Sequence, residues 1–261
     1  MKLTFLGVWM TPEIGDTVSF VAELSSGERI LVDAGANTIR NCVNCNIDPC
    51  SITHLVITHS HGDHIAGIPL YLFYRYKYAP LIKKIIPTKL KIITTKPTWD
   101  AVSNYIDIAY PNLSSNENID VILVDYPNGT LNINQFHTMD TFAVKHNPIT
   151  FGFKLTDSST GKTIVYSSDT SICDEVFDVA QNADCLIHDV AADCTYPMFA
   201  KAGHSLCKDV AEHANNAGVK TLIPVHRLPI YSQNDETYRQ ELCKSFHDAI
   251  IIPVDGDIVT V

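Results

Sequence analysis

Apolar positions in the first sixty residues fall in short runs separated by turn-forming residues. Residues 3–8, 17–24, 29–33 and 54–58 have the length and β-branched content of strands. A second β-rich block covers 120–166, broken by turn signals at Asn128-Gly129 and Thr160-Gly161. Apolar residues recur with helical period over 98–109, 174–182, 205–217 and 235–246. The last third alternates, with strands predicted at 185–188, 221–225 and 258–261 between helices. This order predicts an α/β protein with sheets covered by helices. No linker or repeat divides the chain, so a single domain over 1–261 is expected.

A chain of 261 residues can bury a substantial core. With 46% apolar and 18% charged residues, its composition is that of a soluble globular protein. The opening Met1-Lys2-Leu3-Thr4-Phe5-Leu6-Gly7 lacks the apolar run and cleavage site of a signal peptide. No stretch approaches the ~20 apolar residues of a membrane span. A cytoplasmic protein with no membrane partner is expected. The formal charge of −10 disfavours stable nucleic-acid binding driven by protein charge. Against that balance, residues 75–96 hold seven basic and no acidic side chains, which reads as a solvated face or as an anion-guiding rim. The eight cysteines are expected to be reduced thiols. Cys42, Cys45 and Cys50, with His54 beyond them, could hold a structural zinc. Equally, Cys42 and Cys45 could be small packing residues of a helix.

Chemistry concentrates at His59-Ser60-His61-Gly62-Asp63-His64, directly after the apolar run Leu55-Val56-Ile57-Thr58. Three imidazoles and a carboxylate in six residues, on a turn that Gly62 allows to be tight, form a metal-ligand cluster. These donors suit zinc and also manganese. One loop cannot complete two coordination shells. Further candidates stand at the ends of other predicted strands: His146 after Phe142-Ala143-Val144-Lys145, Asp169 after Ile164-Val165-Tyr166-Ser167-Ser168, and His226 after Leu222-Ile223-Pro224-Val225.

The ordered set His-x-His-x-Asp-His, then His, Asp and His, resembles the metallo-β-lactamase superfamily. Within it, the chain resembles the ribonuclease Z-like branch. The stretches that carry this include His146-Asn147-Pro148-Ile149-Thr150-Phe151-Gly152-Phe153, Tyr166-Ser167-Ser168-Asp169-Thr170, Ala183-Asp184-Cys185-Leu186-Ile187-His188-Asp189 and Gly203-His204-Ser205. The resemblance implies an αββα sandwich and a metal-dependent phosphodiester hydrolase with two Zn2+, or two Mn2+. His59, His61 and His146 would hold one ion; Asp63, His64 and His226 would hold the other, with Asp169 bridging. The zinc β-lactamases with a thiolate ligand have Cys at the position of Asp169, which argues against that activity. Two divalent ions, two carboxylates and a hydroxide would leave a net charge near +1, suited to an anionic phosphodiester. Asp63 could accept the proton of the attacking water. His204 would contact phosphate or protonate the leaving group, with Asp189 as its orienter. The branch usually has Glu where Asp189 stands. His188 reads as structural.

Ribonuclease Z itself grips tRNA with an arm inserted between the ligands matching His146 and Asp169. Here only 22 residues separate them, and a hairpin of 150–156 and 162–168 uses these up. Gly7-Val8-Trp9-Met10-Thr11-Pro12 also lacks the Gly-rich turn and nearby Arg of the tRNA enzymes. The chain is more similar to armless cyclic-nucleotide phosphodiesterases, the anti-Pycsar proteins among them. That implies hydrolysis of a small 3′,5′-cyclic nucleotide, cyclic pyrimidine nucleotides of anti-phage signalling included, by a homodimer. Tyr71, Tyr74 and Tyr78 would share one helical face, to stack a base, line a subunit contact or simply pack. A tRNA 3′-trailer endonuclease is the alternative. Lactone or thioester hydrolysis is disfavoured by the branch-specific stretches, and a non-catalytic role by the complete ligand set.

Overall fold

The apolar runs near the N-terminus form β1 (Lys2–Gly7), β2 (Ser19–Glu23), β3 (Arg29–Val32) and β4 (His54–Val56), followed by β5 (Leu90–Thr94) and β6 (Ile119–Leu123). A computed structural model describes residues 1–233 and 235–261. The chain gathers into two compact units, one of residues 1–7, 16–124 and 255–260, the other of 8–15, 125–254 and 261. In the first, β1 to β3 are antiparallel, whereas β3 to β6 run parallel. Parallel strands must be covered on both faces, and β3 to β5 are accordingly almost continuously buried. Val32 pairs with Val56, so the segments after β3 and β4 leave the sheet at the same edge. Helices α1 (Thr38–Asn44), α2 (Gly62–Ile65), α3 (Ile68–Phe73) and α4 (Lys96–Ala109) belong to this unit. Leu72, Val102 and Ile106 from α3 and α4 pack with Leu55 and Ile92 of the sheet.

The second unit is a sheet of β7 (Gly129–Asn132), β8 (His137–Ala143), β9 (Phe151–Asp157), β10 (Lys162–Tyr166), β11 (Cys185–Asp189), β12 (Thr221–Val225) and β13 (Ala249–Ile250), in sequential order. β7 to β10 form an antiparallel meander, and β10 to β13 are parallel. Tyr166 pairs with Ile187 and Asp189 with Val225, so residues 167–169, Asp189 and His226 emerge at one edge. Helices α5 (Asp174–Val179), α6 (Met198–Lys201), α7 (Cys207–Asn216) and α8 (Asp235–Cys243) complete the unit. The last strand, β14 (Ile258–Thr260), returns to pair with β1 of the first sheet. No helix of the described residues is long and apolar enough to cross a membrane.

Several expectations change. The β-rich block 120–166 is divided: β6 joins the first sheet and β7 to β10 build the second. β5 lies unannounced inside the basic stretch, because Lys89 and Lys91 flank a buried Leu90 and mask the apolar Ile92-Ile93. Arg75, counted in that stretch as surface charge, is fully buried. Its guanidinium donates to the carbonyls of Pro49 (2.9 Å), Ile52 (2.8 Å) and Thr88 (2.6 Å) and to the Thr88 hydroxyl (2.7 Å). It stitches three segments together, so neither a solvated face nor an anion rim describes it. α3 widens into a π-helix over Tyr74–Lys83, and the three tyrosines part. Tyr71 is buried and donates to the Pro49 carbonyl, whereas Tyr74 and Tyr78 stack with ring centroids 5.5 Å apart. Among the described residues no group of three or more ligating side chains includes Cys42, Cys45 or Cys50. Burial pushes the Cys42 thiol up to about 12, and it serves as packing.

Candidate metal centre

In the first unit the metal-ligand motif is shaped by the turn after β3. Asp33 takes a left-handed backbone, φ +54°, and turns a fully buried carboxylate toward the end of β4. Its Oδ1 accepts the Thr58 backbone N–H (2.9 Å), and its Oδ2 accepts the Thr58 hydroxyl and lies 2.9 Å from His64 Nδ1. The pairing at Nδ1 fixes the His64 ring and turns Nε2 to the opposite side. Burial raises the Asp33 pKa, with His64 and Thr58 pulling the other way. His59 is oriented in parallel, its Nδ1 3.1 Å from the Thr58 hydroxyl. The His59 ring lies 4.8 Å from His61 and 4.2 Å from His64, centroid to centroid. Asp63, in the first turn of α2, keeps a partly exposed carboxylate 3.5 Å from His64 Nε2. Gly67 lets α3 begin hard against this turn: a Cβ there would lie 2.1 Å from the Gly35 carbonyl oxygen.

In the second unit, His146 follows β8, Asp169 follows β10 and His226 follows β12. His146 Nε2 lies 3.9 Å, and His226 Nε2 3.3 Å, from Asp169 Oδ2, and the Asp169 side chain is buried. The opposite nitrogens again face acceptors, His146 Nδ1 the Gly203 carbonyl at 3.0 Å and His226 Nδ1 the Asp189 carboxylate at 3.6 Å. Asp189 also lies 2.9 Å from His204 Nδ1 and accepts the Thr170 N–H at 3.0 Å. Burial opposes ionisation of Asp189, yet His204 and His226 outweigh it and hold the carboxyl below its ordinary value. Ser168 and His226 have φ of +56° and +59°, so two of these loops carry backbone strain beside the converging groups. His188 turns elsewhere and stacks on Phe177 at 5.4 Å. Burial lowers its pKa, as for a structural imidazole.

Within each unit, then, the structure brings together the residues singled out in the sequence. His59, His61, Asp63 and His64 converge in one, and His146, Asp169 and His226 in the other with Asp189 and His204. Asp33, which orients a candidate ligand, carries no signal in the sequence, and Thr58 and Gly203 stand in stretches noted there without an orienting role. A single Asp before a turn shows no pattern until β3 and β4 pair. The donor set fits divalent metal: the imidazoles of His59, His64, His146 and His226 face partners at Nδ1, which leaves Nε2 to present, and carboxylates lie beside them. Replacing Asp33 with Asn is expected to weaken metal binding by ~10-fold or more, read by chelator competition. Native affinity in that variant would remove Asp33 from the orienting role.

A family model described as anti-Pycsar protein Apyc1 matches residues 1–217. The chain belongs to the anti-Pycsar Apyc1 family. This Apyc1-family chain is also 27% identical over 291 aligned positions to a ribonuclease Z of Methanosarcina acetivorans, covering 96% of the chain and 95% of that protein. Its structure is similar to the metallo-β-lactamase fold protein YhfI of Bacillus subtilis, with a TM-score of 0.81 at 20% identity, covering 99% and 98% of the two chains. Human tRNase Z, short form, superposes with a TM-score of 0.76 at 22% identity over 100% and 99%. The fold expected from the motif order is therefore the fold of this chain, and its branch is the ribonuclease Z-like one. Family and relatives together make this Apyc1-family member a metal-dependent phosphodiesterase or nuclease.

Proposed function

We propose that the enzyme hydrolyses 3′,5′-cyclic nucleotides to linear nucleoside monophosphates. The observation that carries this reading is the connection between His146 and Asp169. β9 and β10 are joined by a four-residue turn, residues 158–161, closed by the Gly161 N–H on the Asp157 carbonyl at 2.8 Å. That hairpin leaves no residues for an arm that would grip a tRNA. The alignment with the Methanosarcina ribonuclease Z spans 291 positions against 261 residues here, so at least 30 belong to the relative alone. A net charge of −10 also suits a small anion held at one point better than a polyanion spread over the surface.

In this reading His59, His61 and His146 would hold one divalent ion and Asp63, His64 and His226 the other, with Asp169 as a further ligand; zinc and manganese suit the donors equally. The bound ions would lower the pKa of water toward ~7 and offset charge on the phosphodiester. Asp63, open to solvent, accepts the proton of the attacking water. His204 is held at Nδ1 by Asp189, which leaves Nε2 free to reach the phosphodiester and, in this reading, to deliver a proton to the departing ribose oxygen. Turnover of cAMP, cGMP, cCMP and cUMP is the test, with precursor tRNA alongside. Linear monophosphate from the native enzyme is expected. Trailer release from precursor tRNA without cyclic-nucleotide turnover would favour the endonuclease alternative.

The enzyme is further proposed to be a homodimer. Val43, Leu70, Leu81 and Ile82 of the first unit are about half or more exposed, apolar side chains that a subunit contact would cover. Leu81→Glu with Ile82→Glu is expected to halve the mass in light scattering. A native protein already of monomer mass would reject the dimer.

A further inference from the structure

The segment after β12 holds a buried cation with no place in the proposed chemistry. Arg227 directly follows His226 and is fully buried. Its guanidinium lies 4.3 Å from the centre of the Trp9 ring and 5.8 Å from that of Tyr238, and it donates to the Pro253 carbonyl. The backbone is tied on the same side, the Arg227 N–H donating to the Val8 carbonyl (3.2 Å) and the Met10 N–H to the Arg227 carbonyl (2.9 Å). On the other side Leu228 N–H reaches the Ala191 carbonyl at 3.1 Å, and Val190 N–H the Val225 carbonyl at 3.0 Å. Tyr238 donates to the Val190 carbonyl, one residue from Asp189. His226 itself stands between these ties with φ +59°, a conformation that a non-glycine residue holds only when its surroundings impose it.

From this arrangement we infer that Arg227, clasped by Trp9 and Tyr238, is a positioning residue. It holds His226 in its strained conformation, with Nε2 directed to Asp169 and Nδ1 to Asp189. A planar guanidinium suits the place because it stacks on an aromatic face and stays charged at every relevant pH. The ammonium of Lys cannot stack in that way. Trp9, which sits where the N-terminal segment departs from the tRNA-processing pattern, thereby acts as the platform for Arg227. This positioning role rests on the reading that His226 is a metal ligand.

The test is zinc affinity by chelator competition for the native protein and for His226→Ala, Arg227→Met, Arg227→Lys and Trp9→Leu, with thermal unfolding of each metal-free protein recorded in parallel. Arg227→Met and Trp9→Leu are expected to lose ~10-fold or more in affinity at temperatures where each is fully folded, and Arg227→Lys to fall short of native affinity. Trp9→Leu keeps Arg227 in place and decides the matter if Arg227→Met does not fold. Weakened binding in His226→Ala with native affinity in Trp9→Leu and Arg227→Lys would overturn the positioning role and leave the ligand assignment standing. Native affinity in His226→Ala would overturn the assignment and the inference together.

Discussion

Asp63→Ala is expected, on the proposed reading, to lower turnover of the best cyclic nucleotide by ~10³-fold or more while the protein stays folded. Two features make this outcome sharp. The Asp63 carboxylate is partly exposed and lies outside the apolar cluster of Leu55, Leu72 and Val102, so its removal leaves no cavity. Its backbone carbonyl, not its side chain, accepts the Thr17 hydroxyl at 2.5 Å, and that tie to the neighbouring loop survives the substitution. The proposal gives this one carboxylate two duties, as ligand and as proton acceptor. Asp63→Asn separates them, since an amide oxygen can still bind an ion but cannot take a proton. Measured with metal in excess, an Asn variant as slow as the Ala variant assigns the loss to proton transfer. Activity within tenfold of native in the Ala variant would remove Asp63 from the chemistry.

Arg75→Met is expected to destabilise the protein by about 3 kcal/mol or more, because the carbonyls of Pro49, Ile52 and Thr88 lose a shared donor in a buried setting. For a chain of this size that corresponds to a fall in Tm of roughly 8 °C, measurable by calorimetry. Met keeps most of the aliphatic stem, so the loss reports the hydrogen bonds rather than a cavity. Arg75→Lys can recover part of it, although one ammonium cannot span three carbonyls that the flat guanidinium meets from both ends. A Tm shift of under ~3 °C for the Met variant would mean that the Tyr71 and Thr88 hydroxyls, together with water, satisfy those carbonyls without Arg75.

Much of the candidate centre is legible in the sequence because its residues stand at the ends of strands. A strand run is visible as apolar periodicity, and a His or Asp just past its end is conspicuous: His59 to His64, His146, Asp169 and His226 all stand out that way. The Asp189–His204 pair is suggested by resemblance, and the structure places its atoms 2.9 Å apart even though Asp is one methylene shorter than the usual Glu. Strand and helix positions are likewise recovered where the apolar pattern is strong, as in β1, β11, β12 and α4.

What local pattern could not supply were roles that exist only once distant segments meet. Asp33 looks like an ordinary turn residue until β3 and β4 pair and carry it to His64. Arg75 reads as surface charge and Arg227 carries no signal, since a buried guanidinium is recognisable only by the carbonyls and rings around it. The sheet to which β6 belongs follows from its parallel pairing with β5, which no stretch of 120–166 encodes by itself. Which side chains can ligate is a property of single residues and their neighbours in the chain, so the sequence by itself supplied the candidates. Orientation, burial and the choice of orienting partner depend on residues tens of positions apart, and the tertiary structure alone decided them.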